Sequence, residues 1–430
     1  MDMTTSAGIV LGVMVLAFVG AKLFKLSAEL SMLVAALGGS LAGGFWIPPR
    51  QIAEGAMTYL DINLIFITAT LFMNILKESG GITFVVRRTF ERFHSRRIVL
   101  LVVLTLLLLL PGALTGAGSV TVLITGGMVA SVLAAMGIAK VRVAAIIFIV
   151  AGLSAAAPPV SLWAMMTAAG VNMPYVGFFL PLLIPCVLGG LFTMFFLGWR
   201  GEPTEVREVL AALPMPPERM SWVRVLLPFG IFLGLVVAGR IWPTGVPVLG
   251  LPLMFLCAAA TALLLSPRKI ELFRLSKETI DQLLPLIGTL TCVGILVQIM
   301  TLTGARGLLA VTMVTLPIAA VYGSMFLLLP ASEAVLMWGA APVIGVPLVL
   351  LFNTIGLNPI VALAGMSVIW PLGDALPPTA IIGRLTVGVV EYHEPYHRFL
   401  KTCLGPGIVI MILGTLMVIY SKELGFLTGL

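Results

Sequence analysis

Apolar stretches long enough to cross a bilayer recur from Gly8 to Tyr420 with only short polar breaks, and this fixes the solvent in which the chain folds. A helix of about 20 apolar residues spans the hydrocarbon core, and backbone in that core must bond to itself. The strict alternation of a lipid-facing barrel strand is absent, so the runs read as helices. Mean hydropathy of +1.14 and a charged content of only 10% fit an all-α polytopic membrane protein and exclude a soluble enzyme or a secreted module. The net charge of +7 sits in loops that stay cytoplasmic, so no nucleic-acid partner is expected and the lipid bilayer is. Asp2, with no basic residue before the first run, argues for a retained first transmembrane helix over a cleaved signal. The four cysteines lie inside apolar stretches without metal or redox spacing, and read as small packing residues.

The spans fall at 8–24, 27–46, 60–78, 98–136, 143–172, 177–198, 223–239, 246–265, 283–302, 307–345, 359–390 and 402–420, and the pattern repeats after the sixth. Residues 1–199 form the first repeat, 200–222 a polar, proline-rich cytoplasmic linker, and 223–430 the second repeat. Pro158-Pro159 and Pro377-Pro378 lie 219 residues apart, and Pro111 and Pro330 keep the same offset. Charge supplies an independent test. Loop 79–97 holds five basic residues where loop 47–59 holds one, whereas in the second half loop 266–282 holds four and 303–306 holds one. Because basic loops face the cytoplasm, equivalent loops lie on opposite sides and the repeats are inverted. The N-terminus is then outside. Segments 98–136 and 307–345 are too long for one crossing and read as re-entrant hairpins, turning near Pro111–Ser119 and Pro330–Glu333. Each repeat then has about five transmembrane helices and one hairpin. Amphipathic residues 83–97 are expected along the inner membrane surface.

Paired prolines inside an apolar span remove two amide donors, so 143–172 and 359–390 are discontinuous helices. Their freed carbonyls suit a cation and their new half-helix N-termini suit an anion. Candidate cation ligands are Ser154, Pro158 and Ser161 at the first break, Asp374, Pro377 and Thr379 at the second, Thr115, Gly118 and Ser119 at the first hairpin turn, and Ser332 at the second. Ionisable groups at bilayer depth cost about 2.5–3.5 kcal/mol to insert, so those kept there point to function. Glu333, Asp374 and Arg384 are of this kind. Arg384 could fork a substrate carboxylate, with Glu333 and Thr121 as further substrate contacts. Structural salt bridges from Arg384 to either acid, or snorkelling to the surface, compete with that reading. His393 and His397, four apart with Glu391 and Glu394 beside them, suggest a metal site, but Pro395 between them argues against a shared helical face. No bound metal other than a coupling Na⁺ and no organic cofactor is expected, and nothing suggests an enzyme.

TGAGSVTVLITGGM from Thr115, GLSAAAPPVSLWAMMTAAGVNMPYVGFFLPLLIPCVLGGLF from Gly152 and GDALPPTAIIG from Gly373 give the chain a likeness to a known group. It resembles the large membrane subunit of the TRAP (tripartite ATP-independent periplasmic) transporters, within the ion transporter superfamily, over nearly its whole length. The resemblance implies a multi-pass protein of the inner membrane and uptake of an organic anion, such as a dicarboxylate or sugar acid, coupled to Na⁺ or H⁺. It implies that the hairpins and broken helices move as an elevator against a fixed scaffold. It also implies a small membrane subunit and an extracytoplasmic solute-binding protein as partners. Carried over by position, Thr115, Gly118, Ser119 and Pro158–Ser161 would build one cation site, and Ser332, Asp374 and Pro377–Thr379 the other, with substrate between. The sequence departs from the family at Ser119-Val120-Thr121, where an acidic residue often follows the Gly-Ser, and at Pro330-Ala331-Ser332-Glu333. A self-sufficient cation/proton antiporter or carboxylate symporter of the same superfamily is the alternative. An intramembrane enzyme would need a nucleophile or metal constellation that these residues do not supply.

Overall fold

A computed structural model of the chain describes residues 3–200, 210, 213–242 and 249–429. Residues 201–209, 211 and 212 of the linker expected at 200–222 lie outside the described residues. The described residues form helices and turns without a strand, and nine of the helices are long and apolar enough to span a bilayer. The protein is a polytopic α-helical membrane protein.

Each half runs through the same order of elements. Met3–Leu23, Ala28–Ala42 and the 49–78 arm are matched by Trp222–Ile241, Leu251–Leu265 and Leu272–Leu302. A glycine with positive φ, Gly80 in one half and Gly304 in the other, then opens the short helices Gly81–Phe93 and Ala305–Thr315. Helix–turn–helix hairpins follow, each with a π-helical segment 219 positions from the other, at Val122–Gly126 and Ala341–Gly345. The broken helices come next, as Lys140–Ala156 with Leu162–Gly170, and as Pro359–Ile369 and Trp370–Ala375 with Ile381–Val389. Phe179–Gly198 and Tyr396–Ile419 close the two halves.

The second hairpin differs from the expectation of 307–345. Residues up to Thr315 belong to the separate short helix, the hairpin arms run from Ile318 to Leu336 and from Met337 to Thr354, and the chain reverses at Met337, with φ 53°. Pro330 lies within the first arm, as Pro111 does in the other hairpin. The amphipathic reading of 83–97 corresponds to Gly81–Phe93, which buries Phe84, Val86 and Phe90 and leaves Arg88 and Arg92 exposed.

The halves meet along their long helices. Gly55 faces Gly294, and a Cβ on Gly294 would lie 2.1 Å from the Gly55 carbonyl oxygen, so only glycine lets the backbones approach this closely. Further along, Asn74 Nδ2 donates to Thr279 Oγ1 (2.9 Å), and Glu78 pairs with Arg274 (3.5 Å). Contacts that climb in one helix while they descend in the other mean antiparallel equivalents, which is the inversion the charge pattern predicts. The neighbouring packings exchange in the same way. Ala28–Ala42 joins the long helix of the second half through Thr289 and Glu29 (3.1 Å), and Leu251–Leu265 joins that of the first through Phe72 and Phe255 (6.4 Å).

The broken helices occupy the centre of the other group of elements. Every residue from Val143 to Pro158 and from Val361 to Pro371 is buried. Gly365 and Gly414 pack backbone to backbone, each Cβ position only 2.5 Å from the other's carbonyl oxygen, which ties Tyr396–Ile419 to the second broken helix. Non-helical backbone is thus shielded by protein, as membrane depth requires. Leu16, Leu264, Phe273 and Leu327 are exposed on the outside of the described structure.

Candidate functional site

At the first pole the hairpin turn closes on the first break. Gly116, with φ 67°, reverses the chain where a Cβ would strike the Phe66 ring at 2.4 Å. Gly118 lies so close to the Ala151 carbonyl that a Cβ would stand 2.7 Å from it. Pro158-Pro159 is cis, and the next amide, that of Val160, donates to the Ala113 carbonyl of the hairpin (3.0 Å). The break therefore finds in the hairpin the partner that its own helix cannot give. Thr121 and Ser154 hydroxyls share a 2.8 Å hydrogen bond, Ser154 Oγ also donates to Ala151 O (2.6 Å), and Thr115 Oγ1 donates to Pro111 O (2.8 Å). Ser119 stands half-buried on the next turn.

The second pole is built alike but carries charge. Gly373 packs on the Pro330 carbonyl, which a Cβ would approach to 2.2 Å, and the same Cβ would meet Glu333 Cβ at 2.7 Å. Thr379 Oγ1 donates to Ala334 O (2.9 Å), and Tyr396 Oη donates to Ala375 O (2.7 Å), so backbone carbonyls of the hairpin and of the break are each met from outside their own helix. Ser332 Oγ donates to Leu329 O (2.7 Å). Pro377-Pro378 is also cis, but these prolines are exposed whereas Pro158 is buried and Pro159 half-buried. The second break thus opens to the surroundings and the first does not.

The poles interlock. Gly152 of the first broken helix packs on Pro371 of the second, and Gly118 of the first hairpin meets Ile382 beyond the second break. Thr167 Oγ1 donates to Ala341 O of the second hairpin's π-helical segment (3.2 Å). Trp163, two residues past Ser161, turns its indole nitrogen toward the Glu333 carboxylate without closing a hydrogen bond. Both Glu333 oxygens, Asp374 Oδ2, Ser161 Oγ and the indole nitrogens of Trp163 and Trp370 are buried and accept or donate no hydrogen bond. An unsatisfied buried group costs about 1–3 kcal/mol, and charged groups more, so the polar atoms left here without a protein partner make this junction the candidate site. Glu333 and Asp374 lie close enough to interact, and no salt bridge among the described residues reaches either.

Of the expected substrate contacts, the structure puts Glu333 beside Asp374, Thr121 against Ser154, and Arg384 on an exposed position past the second break. No bridge forms from Arg384 to either acid. No salt bridge or side-chain hydrogen bond among the described residues links the three. His393, Glu394 and His397 match the spacing HExxH, but the helix there begins at Tyr396, so His393 and His397 share no helical face and both are exposed. Sequence reasoning missed Trp163, Trp370 and Tyr175, whose hydroxyl accepts from the Ser161 amide (3.3 Å). The available signal was a polar-tipped aromatic next to each break.

The chain has the fold of two solved membrane transporters. It is similar to the YdaH transporter of Alcanivorax borkumensis, with a TM-score of 0.61, 12% identity and 87% of each chain covered. It is likewise similar to MtrF of Neisseria gonorrhoeae, described with a class of antimetabolite efflux pumps, with a TM-score of 0.62, 11% identity, and 92% of this chain and 94% of that one covered. No protein-family model matches the chain, and neither does any curated protein. At these identities the likeness is one of fold.

Proposed function

We propose that this protein is a secondary active transporter of the inner membrane, in which the two hairpins and two broken helices move as a unit against the long-helix scaffold and carry an organic anion coupled to Na⁺ or H⁺. One observation carries the reading: at the junction of the second hairpin with the second break, Glu333 and Asp374 lie together, buried, without a counter-charge among the described residues. A buried carboxylate pair in a polytopic chain needs a cation, and binding and release of that cation is what couples two fluxes. The hydroxyls and carbonyls around the first hairpin turn, from Thr115 to Thr121, and near the end of the second hairpin's first arm, from Ser332 to Ala334, supply the oxygen-rich lining that a hard cation prefers.

The organic anion rests on the TRAP resemblance, and with it come the small membrane subunit and the extracytoplasmic binding protein as partners. The fold shared with MtrF favours a second reading, in which this chain works alone and the same carboxylate pair drives export. Both are tested by one experiment. Radiolabelled dicarboxylates and sugar acids are offered to proteoliposomes holding this chain, under an imposed Na⁺ or H⁺ gradient, with and without candidate partners. Gradient-driven flux by the chain alone establishes the self-sufficient reading. Silence alone with activity restored by partners establishes a TRAP large subunit. Gradient-independent flux removes the coupled mechanism.

A further inference from the structure

Where the scaffold meets the first hairpin, at the arginine-rich end of the molecule, a cavity of about 480 Å³ opens between Lys77 and Glu78 on one side, Leu123, Gly127 and Ser131 on another, and Arg268. Its volume falls in the range of about 300–1,000 Å³ typical of small-molecule sites. Leu123 belongs to the π-helical segment of the first hairpin, and Lys77 Nζ donates to its carbonyl (2.8 Å), which uses one of the three ammonium donors and aims the group across the scaffold–hairpin seam. The Arg268 guanidinium is exposed and forms no ion pair or hydrogen bond among the described residues. Glu78, the acid lining the cavity, is engaged by Arg274 (3.5 Å). Ser131 and Thr83 add hydroxyls. The carboxylates of the central site have no basic partner among the described residues, whereas this cavity presents two cations, Lys77 and Arg268.

We propose that this cavity is an anion-binding vestibule in which Lys77 and Arg268 hold the carboxylate of the transported substrate at the cytoplasmic mouth of the moving unit. The assignment deepens the transport reading above and rests on it. Arg268 supplies a planar fork for the carboxylate, and Lys77 supplies a point charge that reports on the hairpin, because the same ammonium holds the Leu123 carbonyl. An anion arriving at the vestibule competes for Lys77 and so loosens the hairpin from the scaffold on the side where release or loading takes place.

The test separates binding from transport. Equilibrium binding of labelled succinate, with acetate and citrate as competitors, is measured on the purified full chain in phosphatidylcholine nanodiscs and again with phosphatidylglycerol added. K77Q and R268Q are each expected to weaken succinate at least about tenfold, as loss of a charge-assisted bond does. R50Q, at an exposed Arg50–Glu54 pair elsewhere, is expected to leave it unchanged. R268Q removes no contact in the described structure and so keeps the fold even where K77Q does not. Unchanged affinity in R268Q, or no binding of any of the three anions by the wild type, overturns the proposal. Loss of succinate binding whenever phosphatidylglycerol is present also overturns it and makes the site one for lipid headgroups. Intact succinate binding with no gradient-driven flux either by the chain alone or with the candidate partners keeps the vestibule and refutes the transport reading instead.

Discussion

Replacing Gly112 with alanine tests whether the first hairpin closes on the first break as described. A Cβ built there lies 1.9 Å from Ser154 Oγ, 2.7 Å from Ser154 Cβ and 2.8 Å from Thr121 Oγ1. Rotating the serine hydroxyl relieves only the first clash, because its own Cβ stays too close. The 2.8 Å bond between Thr121 and Ser154 must then break, or the hairpin must withdraw from the helix. Overpacking of a tight core costs about 1–3 kcal/mol. A lost buried hydrogen bond adds about 1 kcal/mol. Together these give about 2–4 kcal/mol, read as a lowered thermal midpoint of the purified protein in detergent. Gly112→Ala combined with Ser154→Gly removes both offending serine atoms, at a helix-propensity cost of about 1 kcal/mol. The pair is therefore expected to be more stable than the sum of its single variants by about 1–3 kcal/mol, the range found for residues in contact. Strict additivity would falsify the packing argument, as would a Gly112→Ala variant that melts with the wild type.

Three further outcomes are expected. Asp374→Asn should insert normally and lose cation-driven flux, and Glu333→Gln should do the same; wild-type flux in either proteoliposome preparation removes that carboxylate from coupling. Trp163→Phe keeps the ring and removes the indole N–H facing Glu333, so the half-saturating concentration of the coupling cation should move while expression holds; an unchanged value makes Trp163 a packing residue only. Gly294→Ala places a methyl against the Gly55 backbone, which no rotamer can relieve, so the protein should lose about 2 kcal/mol of stability, read as a lowered thermal midpoint; full stability would mean the long helices do not meet there.

Much of the fold was legible because its determinants are local. Hydropathy marks which segments leave water, paired prolines mark where a helix must break, and the sidedness of arginine and lysine marks inversion. Glu333 and Asp374 stood out for the same reason, since a charge in an apolar run is costly wherever it packs. Hairpin register was harder. The run from 307 to 345 looks continuous in composition, and what divides it is the backbone at Leu316-Pro317 and Met337.

The sequence by itself determined that the chain lives in a membrane, that it is helical and twofold repeated, and which residues interrupt its helices. Only the tertiary structure decided which of the scattered polar groups meet. It set Glu333 beside Asp374 and under Trp163, and left Arg384 on the outside. Lys77 and Arg268 came to line one cavity although 191 positions separate them. The reason is physical: transfer free energy and proline sterics act on each segment alone, whereas these juxtapositions depend on glycine contacts such as Gly55–Gly294, Gly152–Pro371 and Gly365–Gly414, which set how closely whole helices approach.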